Sequence, residues 1–255
     1  MIFIFTALHN EARFFIKNYH LKRTNQYSPF SSFTNENIIL TITGVGALNC
    51  ACAVSAILSN ASSKNDKVYN IGIAGGNKEG LYLCNKITYE ATGFDYYPDI
   101  VHHPFKEDFL VTHSNIWRGS TDGLHDMEGA GFYVAAKNYV SQENIVLLKI
   151  ISDNGTELPN ESYIATLFEK YGNEICNFIN SNHISDKSTE IDIEIFAKKL
   201  KCTEAMKNEL KRYTQYLNTT GKSIEDILPK HMLSCSTKKE GLKVLEYIRN
   251  KITAL

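Results

Sequence analysis

The sequence predicts an α/β sandwich built on a mostly parallel sheet, followed by a small C-terminal all-helical appendage. Three observations carry this. Apolar, β-branched runs alternate with stretches whose apolar residues recur at helical spacing. Several of those runs end in glycine or in an Asp-Asn-Gly turn, the residue types at which a strand can hand over to a helix. Beyond about residue 182 no strand pattern returns, and the charge changes sign: 13 basic against 18 acidic side chains up to that point, 14 against 10 after it.

Met1 to Leu8 is apolar without polar alternation, as a strand buried on both faces requires. Asn10 is a suitable N-cap for a helix reaching about His20, in which Ala12, Phe15, Ile16 and Tyr19 share a face. Ile38 to Thr43 reads as a second core strand, and the GVG that follows is a glycine turn opening the alanine-rich helix ALNCACAVSAIL. Val68 to Ile73 and Lys86 to Thr92 are further strands leading into glycines, and Phe109 to Thr112 is one more. Glu128 to Val140 is a helix whose Gly129 and Gly131 permit close packing on a sheet. Ile145 to Ile151 is the strongest strand; it ends in Ser152, Asp153, Asn154 and Gly155, and a helix from about Glu161 to Ile179 follows.

Ser181 to Glu190 is polar and aperiodic, which predicts a linker. The remainder is helical: about Ile191 to Leu200, Thr203 as N-cap of a helix to Leu217, a short piece at Ile224 to Leu228, and Lys238 to Ile252. The expected domains are therefore 1–182 and 187–255.

A chain of 255 residues, 43% hydrophobic and with 13 Phe and 14 Tyr, can bury a sizeable core, which excludes a disordered chain or a disulfide knot. Its 27 basic and 28 acidic residues create no net field that would favour nucleic acid or an anionic membrane. Six scattered cysteines, with no leader-like segment before the first strand, fit reduced thiols and a cytoplasmic location. The longest apolar run contains Lys149 and is far too short to span a bilayer. His102 and His103 are adjacent and the other six histidines lack ligand spacing, so no metal is expected. GVG is neither GxGxxG nor a P-loop, and no GxSxG elbow occurs.

Ligands of open α/β sheets collect at the carboxyl ends of strands, where loops and helix N-termini present free N–H groups. Glu11 follows the first predicted strand, Gly44 to Gly46 the second, Gly75 and Gly76 the third, and Asp153 the long apolar one. Each has a structural alternative. Glu11 and Glu128 would stand at helix openings, where a carboxylate favours the macrodipole, and Asp153 could simply cap a turn.

Five segments in order, TALHNEA (Thr6 to Ala12), TGVGALNCACA (Thr43 to Ala53), NIGIAGG (Asn70 to Gly76), DMEGAG (Asp126 to Gly131) and IISDNG (Ile150 to Gly155), resemble the purine nucleoside phosphorylase superfamily. Within it the segments look most like those of the methylthioadenosine/S-adenosylhomocysteine nucleosidases. The resemblance runs from Met1 to about Ile179 and implies a three-layer α/β/α sandwich with a mixed central sheet, assembled as a homodimer and working without a cofactor. It assigns Glu11 to water activation and Asp153 to protonation of the departing purine. Substrate binding falls to Met127 and Glu128 at the ribose, to Ser152 beside Asp153, and to Gly46 and Gly75 in the glycine turns. The partner so implied is a small purine nucleoside.

This division suits the chemistry. Breaking a ribosyl C–N bond leaves an oxocarbenium-like sugar and a base that departs badly as an anion, so an acid is wanted at the base and a base at the water. Related phosphorylases hold phosphate with an arginine just before the segment that here reads NIGIAGG; Tyr69 and Asn70 stand there instead, which favours water. Ile73 replaces the hydroxyl residue common in the nucleosidases, and GIAGG is also similar to futalosine hydrolases. Phe94, Tyr96, Tyr97 and Trp117 are the candidates for the aromatic that stacks on the base. Phosphorolysis, a futalosine-type substrate, and a nucleoside-binding regulator without turnover remain the alternatives.

Overall fold

Alternation along the first strand, β1 (Ile2–Thr6), sets the layers: Ile2 and Ile4 enter one apolar cluster while Phe3 and Phe5 enter the other. This computed structural model describes residues 1–99, 102–119, 122–219, 222–229, 232 and 234–253. The chain divides into two compact units, Met1–Ile179 and Asn180–Leu255.

In the first unit β1 is followed by α1 (His9–Asn18), β2 (Lys22–Thr24), β3 (Ser31–Thr34), β4 (Ile38–Ile42) and α2 (Ala47–Ala61). Then come β5 (Lys67–Gly75), β6 (Leu81–Tyr89), β7 (Phe94–Tyr96), β8 (Lys106–Thr112) and β9 (Leu124–Asp126). The unit is completed by α3 (Gly129–Ala136), β10 (Ile145–Asp153) and the start of α4 (Glu161–Lys199). Helices α1 and α4 supply Ala12, Phe15, Ile164 and Phe168 to one cluster, and α2 and α3 supply Cys50, Val54, Phe132 and Tyr133 to the other. The result is the three-layer sandwich. Gly131 lets α3 approach α2, because a Cβ there would lie 2.1 Å from the Ala47 carbonyl oxygen.

The sheet is mixed. β1 pairs in parallel with β4 and β5, and β5 in parallel with β10. β4, β3 and β2 continue one edge antiparallel. On the other side β10 pairs antiparallel with β6, β6 and β9 flank β8 in parallel, and β9 returns to β5 through Gly75 and His125, so these five strands close on themselves. The antiparallel share exceeds what the sequence suggests because β2, β7 and β9 are three-residue strands and β3 a four-residue one, too short to show a period.

Three sequence expectations are corrected. The strand expected from Lys86 to Thr92 is β6, which starts at Leu81 and ends at Tyr89. Leu8, not Asn10, precedes the first helix, because Glu11 itself takes the Ala7 and Leu8 N–H groups and so replaces a capping side chain. The expected linker at 181–190 is helical within α4, since the segment holds neither Gly nor Pro to break a helix.

The second unit contains the end of α4, α5 (Glu204–Thr219), α6 (Ile224–Ile227) and α7 (Lys238–Thr253). Ile193, Leu200, Leu210, Leu217, Leu245 and Ile248 form its core. The Thr203 hydroxyl accepts the Met206 N–H at 3.4 Å, capping α5. Among the described residues no helix is long and apolar enough to cross a membrane.

Candidate active site

A cavity of about 290 Å³ opens where β1, β5 and β10 end. Its lining includes Glu11, Gly75, Met127, Glu128, Ser152 and Asp153, six of the seven residues singled out from the sequence. The seventh, Gly46, is not part of the lining; its N–H donates to Glu128 Oε1 at 2.7 Å. Of the four candidate aromatics only Trp117 reaches the cavity.

Glu11 is held on both oxygens. Oε2 accepts the N–H groups of Ala7 and Leu8, each at 2.8 Å, and Oε1 accepts that of Ile73 at 2.9 Å. Burial pushes this carboxyl above its usual range, against the opposing pull of those N–H groups and of the Lys149 charge. A buried carboxylate of raised basicity is a better proton acceptor than a solvated one.

Asp153 ends β10, where the pairing with β5 shifts register between Ile151 and Asp153. Its Oδ2 lies 2.8 Å from the Ser152 hydroxyl and its Oδ1 accepts the Gly155 N–H at 2.8 Å. Ser152 is also 3.3 Å from the Ala74 carbonyl oxygen, so serine and acid are both tied to the end of β5.

Near Glu11 lies a buried ionic cluster that sequence reading passed over. Lys149 sits on the same face of β10 as Leu147 and Ile151, is 1% exposed, and places its Nζ 2.8 Å from Asp126 Oδ2. Asp126 accepts further hydrogen bonds from the Thr112 hydroxyl at 2.7 Å and the Gly129 N–H at 2.8 Å. Burial favours the neutral amine of Lys149, but Asp126 and Glu128 outweigh it and hold the ammonium above its ordinary range. Glu128 is pushed up to about 7, first by burial and then by Asp126, with Lys149 and the Gly46 N–H opposing. The signal for this cluster was the lysine inside an apolar strand, since a buried ammonium requires a carboxylate partner.

The cavity therefore gathers three carboxyl side chains, Glu11, Glu128 and Asp153, from distant segments into one lining, with the Ser152 hydroxyl against the last. Among the described residues no set of three or more His, Cys, Asp or Glu side chains is arranged to hold a metal ion.

No family model matches the sequence, and no curated protein does. Solved structures do. The chain is similar to the 5′-methylthioadenosine/S-adenosylhomocysteine nucleosidase of Campylobacter jejuni, at 12% identity over 71% of this chain and 98% of that one, with a TM-score of 0.59. The fold is that of the nucleosidases. The 5′-methylthioadenosine nucleosidase of Arabidopsis thaliana matches at 16% identity over 70% of this chain and 95% of that one, with a TM-score of 0.59. A futalosine hydrolase mutant of Helicobacter pylori matches at 12% identity over 71% and 98%, with a TM-score of 0.56. The nucleosidase fold thus covers nearly the whole of each of these proteins and about seven tenths of this chain.

Proposed function

We propose that this protein is an N-ribosyl hydrolase that cleaves the N-glycosidic bond of a purine nucleoside, of the methylthioadenosine or S-adenosylhomocysteine kind, and releases the free base. The observation that carries the reading is the meeting of Glu11, Glu128 and Asp153, from three distant segments, around one cavity.

In this reading Glu11, made more basic by burial, takes a proton from the attacking water. Glu128 accepts the vicinal ribose hydroxyls, and its negative charge stabilises the positive charge that develops on the sugar. Asp153, oriented by Ser152 and Gly155, shares a proton with the purine as the C–N bond breaks. Met127 and Gly75 shape the walls, and Gly46 acts through Glu128. Water is favoured over phosphate because no Lys or Arg lines the cavity among the described residues, and Lys149 is engaged by Asp126. Arg118, for its part, donates to the Thr156 carbonyl at 2.7 Å.

The proposal includes a cytoplasmic homodimer. All six thiols are free, as a reducing compartment allows, and exposed Val45, Leu48 and Ile116 suit a subunit contact. A futalosine-type substrate is the second reading, favoured by apolar Ile73 in the lining and by the similarity to the Helicobacter pylori structure.

The test is a panel of methylthioadenosine, S-adenosylhomocysteine, adenosine, inosine and futalosine, each incubated with and without phosphate. Base release without phosphate from at least one of them is expected. Strict dependence on phosphate would make the protein a phosphorylase, and tight binding without release would make it a regulator.

A further inference from the structure

Behind the cavity runs a hydrogen-bonded chain that the proposed reaction does not use. Trp117 lies flat on His125, ring centroids 3.9 Å apart and planes 4° from parallel. His125 Nδ1 is 2.9 Å from His113 Nε2, and His113 Nδ1 is 2.9 Å from Glu90 Oε2. Glu90 follows β6, His113 follows β8 and His125 lies in β9, so the chain crosses the ends of three neighbouring strands, from the exposed Glu90 to His125 at 5% exposure. Backbone bonds brace it. The His113 N–H donates to the Asp126 carbonyl at 2.8 Å and the Glu90 N–H to that of Thr112 at 3.1 Å.

The proton placement follows from the partners. A carboxylate only accepts, so His113 carries hydrogen on Nδ1. Neutral His113 then accepts at Nε2, and His125 donates from Nδ1; should His113 be doubly protonated, the same contact persists with the donor reversed. Either way both rings are fixed in orientation, much as outer partners fix a metal-bound histidine.

The indole is held on other sides as well. A Cβ on Gly75 would come within 2.8 Å of Trp117, and one on Gly155 within 2.6 Å, so the ring abuts bare backbone beside Asp153. Trp117 and His125 both line the cavity, but one face of the indole is covered by the imidazole. A flat aromatic base would meet the other face.

We propose that His125 is a positioning residue for recognition of the base: locked by His113 and Glu90, it backs Trp117 so that a planar purine meets a rigid aromatic wall next to Asp153. This rests on the purine reading above. It adds to that reading a determinant of base affinity outside the carboxylates.

Trp117 is the only tryptophan, so its emission reports on the wall directly. Adenine is titrated into the full chain while fluorescence is followed, with calorimetry in parallel, for the native protein and for His113→Leu, His125→Ala, His125→Phe and Glu90→Ala. A saturable change in native emission is expected. His113→Leu should weaken adenine binding about two- to tenfold, the worth of one net hydrogen bond, and raise KM while leaving kcat near the native value. His125→Phe, which keeps a flat ring, should bind more tightly than His125→Ala. Glu90→Ala, at the exposed end of the chain, should move affinity in the same direction without threatening the fold. Native affinity in His125→Ala, or in both His113→Leu and Glu90→Ala, would overturn the positioning role while leaving the purine site standing. Adenine binding seen by calorimetry with no change in emission would remove Trp117 from the wall. Adenine binding by neither measure would overturn both the wall and the purine reading.

Discussion

In the first unit Glu11, Asp126, Glu128 and Lys149 are all buried in one neighbourhood of the sheet, whereas the second unit buries only one polar side chain, Thr214, among its described residues. That threonine satisfies itself by donating to the Leu210 carbonyl of its own helix. Among the described residues of the second unit the charges sit outside: Arg249 reaches Glu209 and the Tyr213 hydroxyl, and Asp226 closes a capping box with Ser223. Burying an ion costs several kcal/mol unless partners and hydrogen bonds offset it. An apolar core alone can hold helices together, as the second unit does, so the buried ionic cluster of the first unit calls for a reason beyond stability. Chemistry on a sugar provides one.

Substitutions sharpen this contrast in descending order of effect. Asp153→Asn and Glu11→Gln should each lower base release about 10²–10⁴-fold, the usual worth of a positioned proton donor or acceptor, with native circular dichroism; full activity in either variant would remove that residue from the mechanism. Lys149→Met leaves Asp126 and Glu128 without their buried cation and should cost about 3–5 kcal/mol of stability, measured by urea unfolding of the first unit. A midpoint near the native one would mean the cluster is not the tightly coupled group its geometry describes.

Next is pH. Glu128 rises from 4.5 to about 7 on folding, so the folded state keeps a proton that the unfolded chain has released. Its contribution to stability is complete below pH 4.5 and is lost as pH rises through about 7. The urea midpoint should therefore fall across that window, and fall less in Glu128→Gln. The second unit supplies the smallest effect: Arg249→Ala breaks only exposed contacts and should leave the unfolding midpoint and turnover near native.

The parts of the fold legible in the sequence are those where one physical demand dominates. β1, β4, β5 and β10 are largely buried on both faces and so read as mainly apolar runs without polar alternation. β2, β3, β7 and β9 are too short for any periodicity to develop, and their pairing is decided by tertiary contact. The helix through 181–190 was hidden because its polar residues lack an apolar face, yet nothing in them stops a helix once it is under way. At the site, Glu11, Glu128 and Asp153 stood out because they fall in the TALHNEA, DMEGAG and IISDNG segments that carry the resemblance, whereas by position alone each had a structural use as a helix-opening or turn-capping carboxylate. Lys149, Asp126 and His125 did not, because a lysine in a strand or a histidine beside DMEGAG acquires meaning only when its partners come from elsewhere in the chain. Gly46 was legible as a turn, and its role in holding Glu128 was not.

The measurement that bears most directly on the central claim is turnover in ¹⁸O-labelled water without phosphate, with methylthioadenosine as substrate and the sugar product analysed by mass spectrometry. One labelled oxygen on the released sugar, in step with free adenine, is the predicted result. No release of base, or release only when phosphate is added and as sugar 1-phosphate without label, would contradict it.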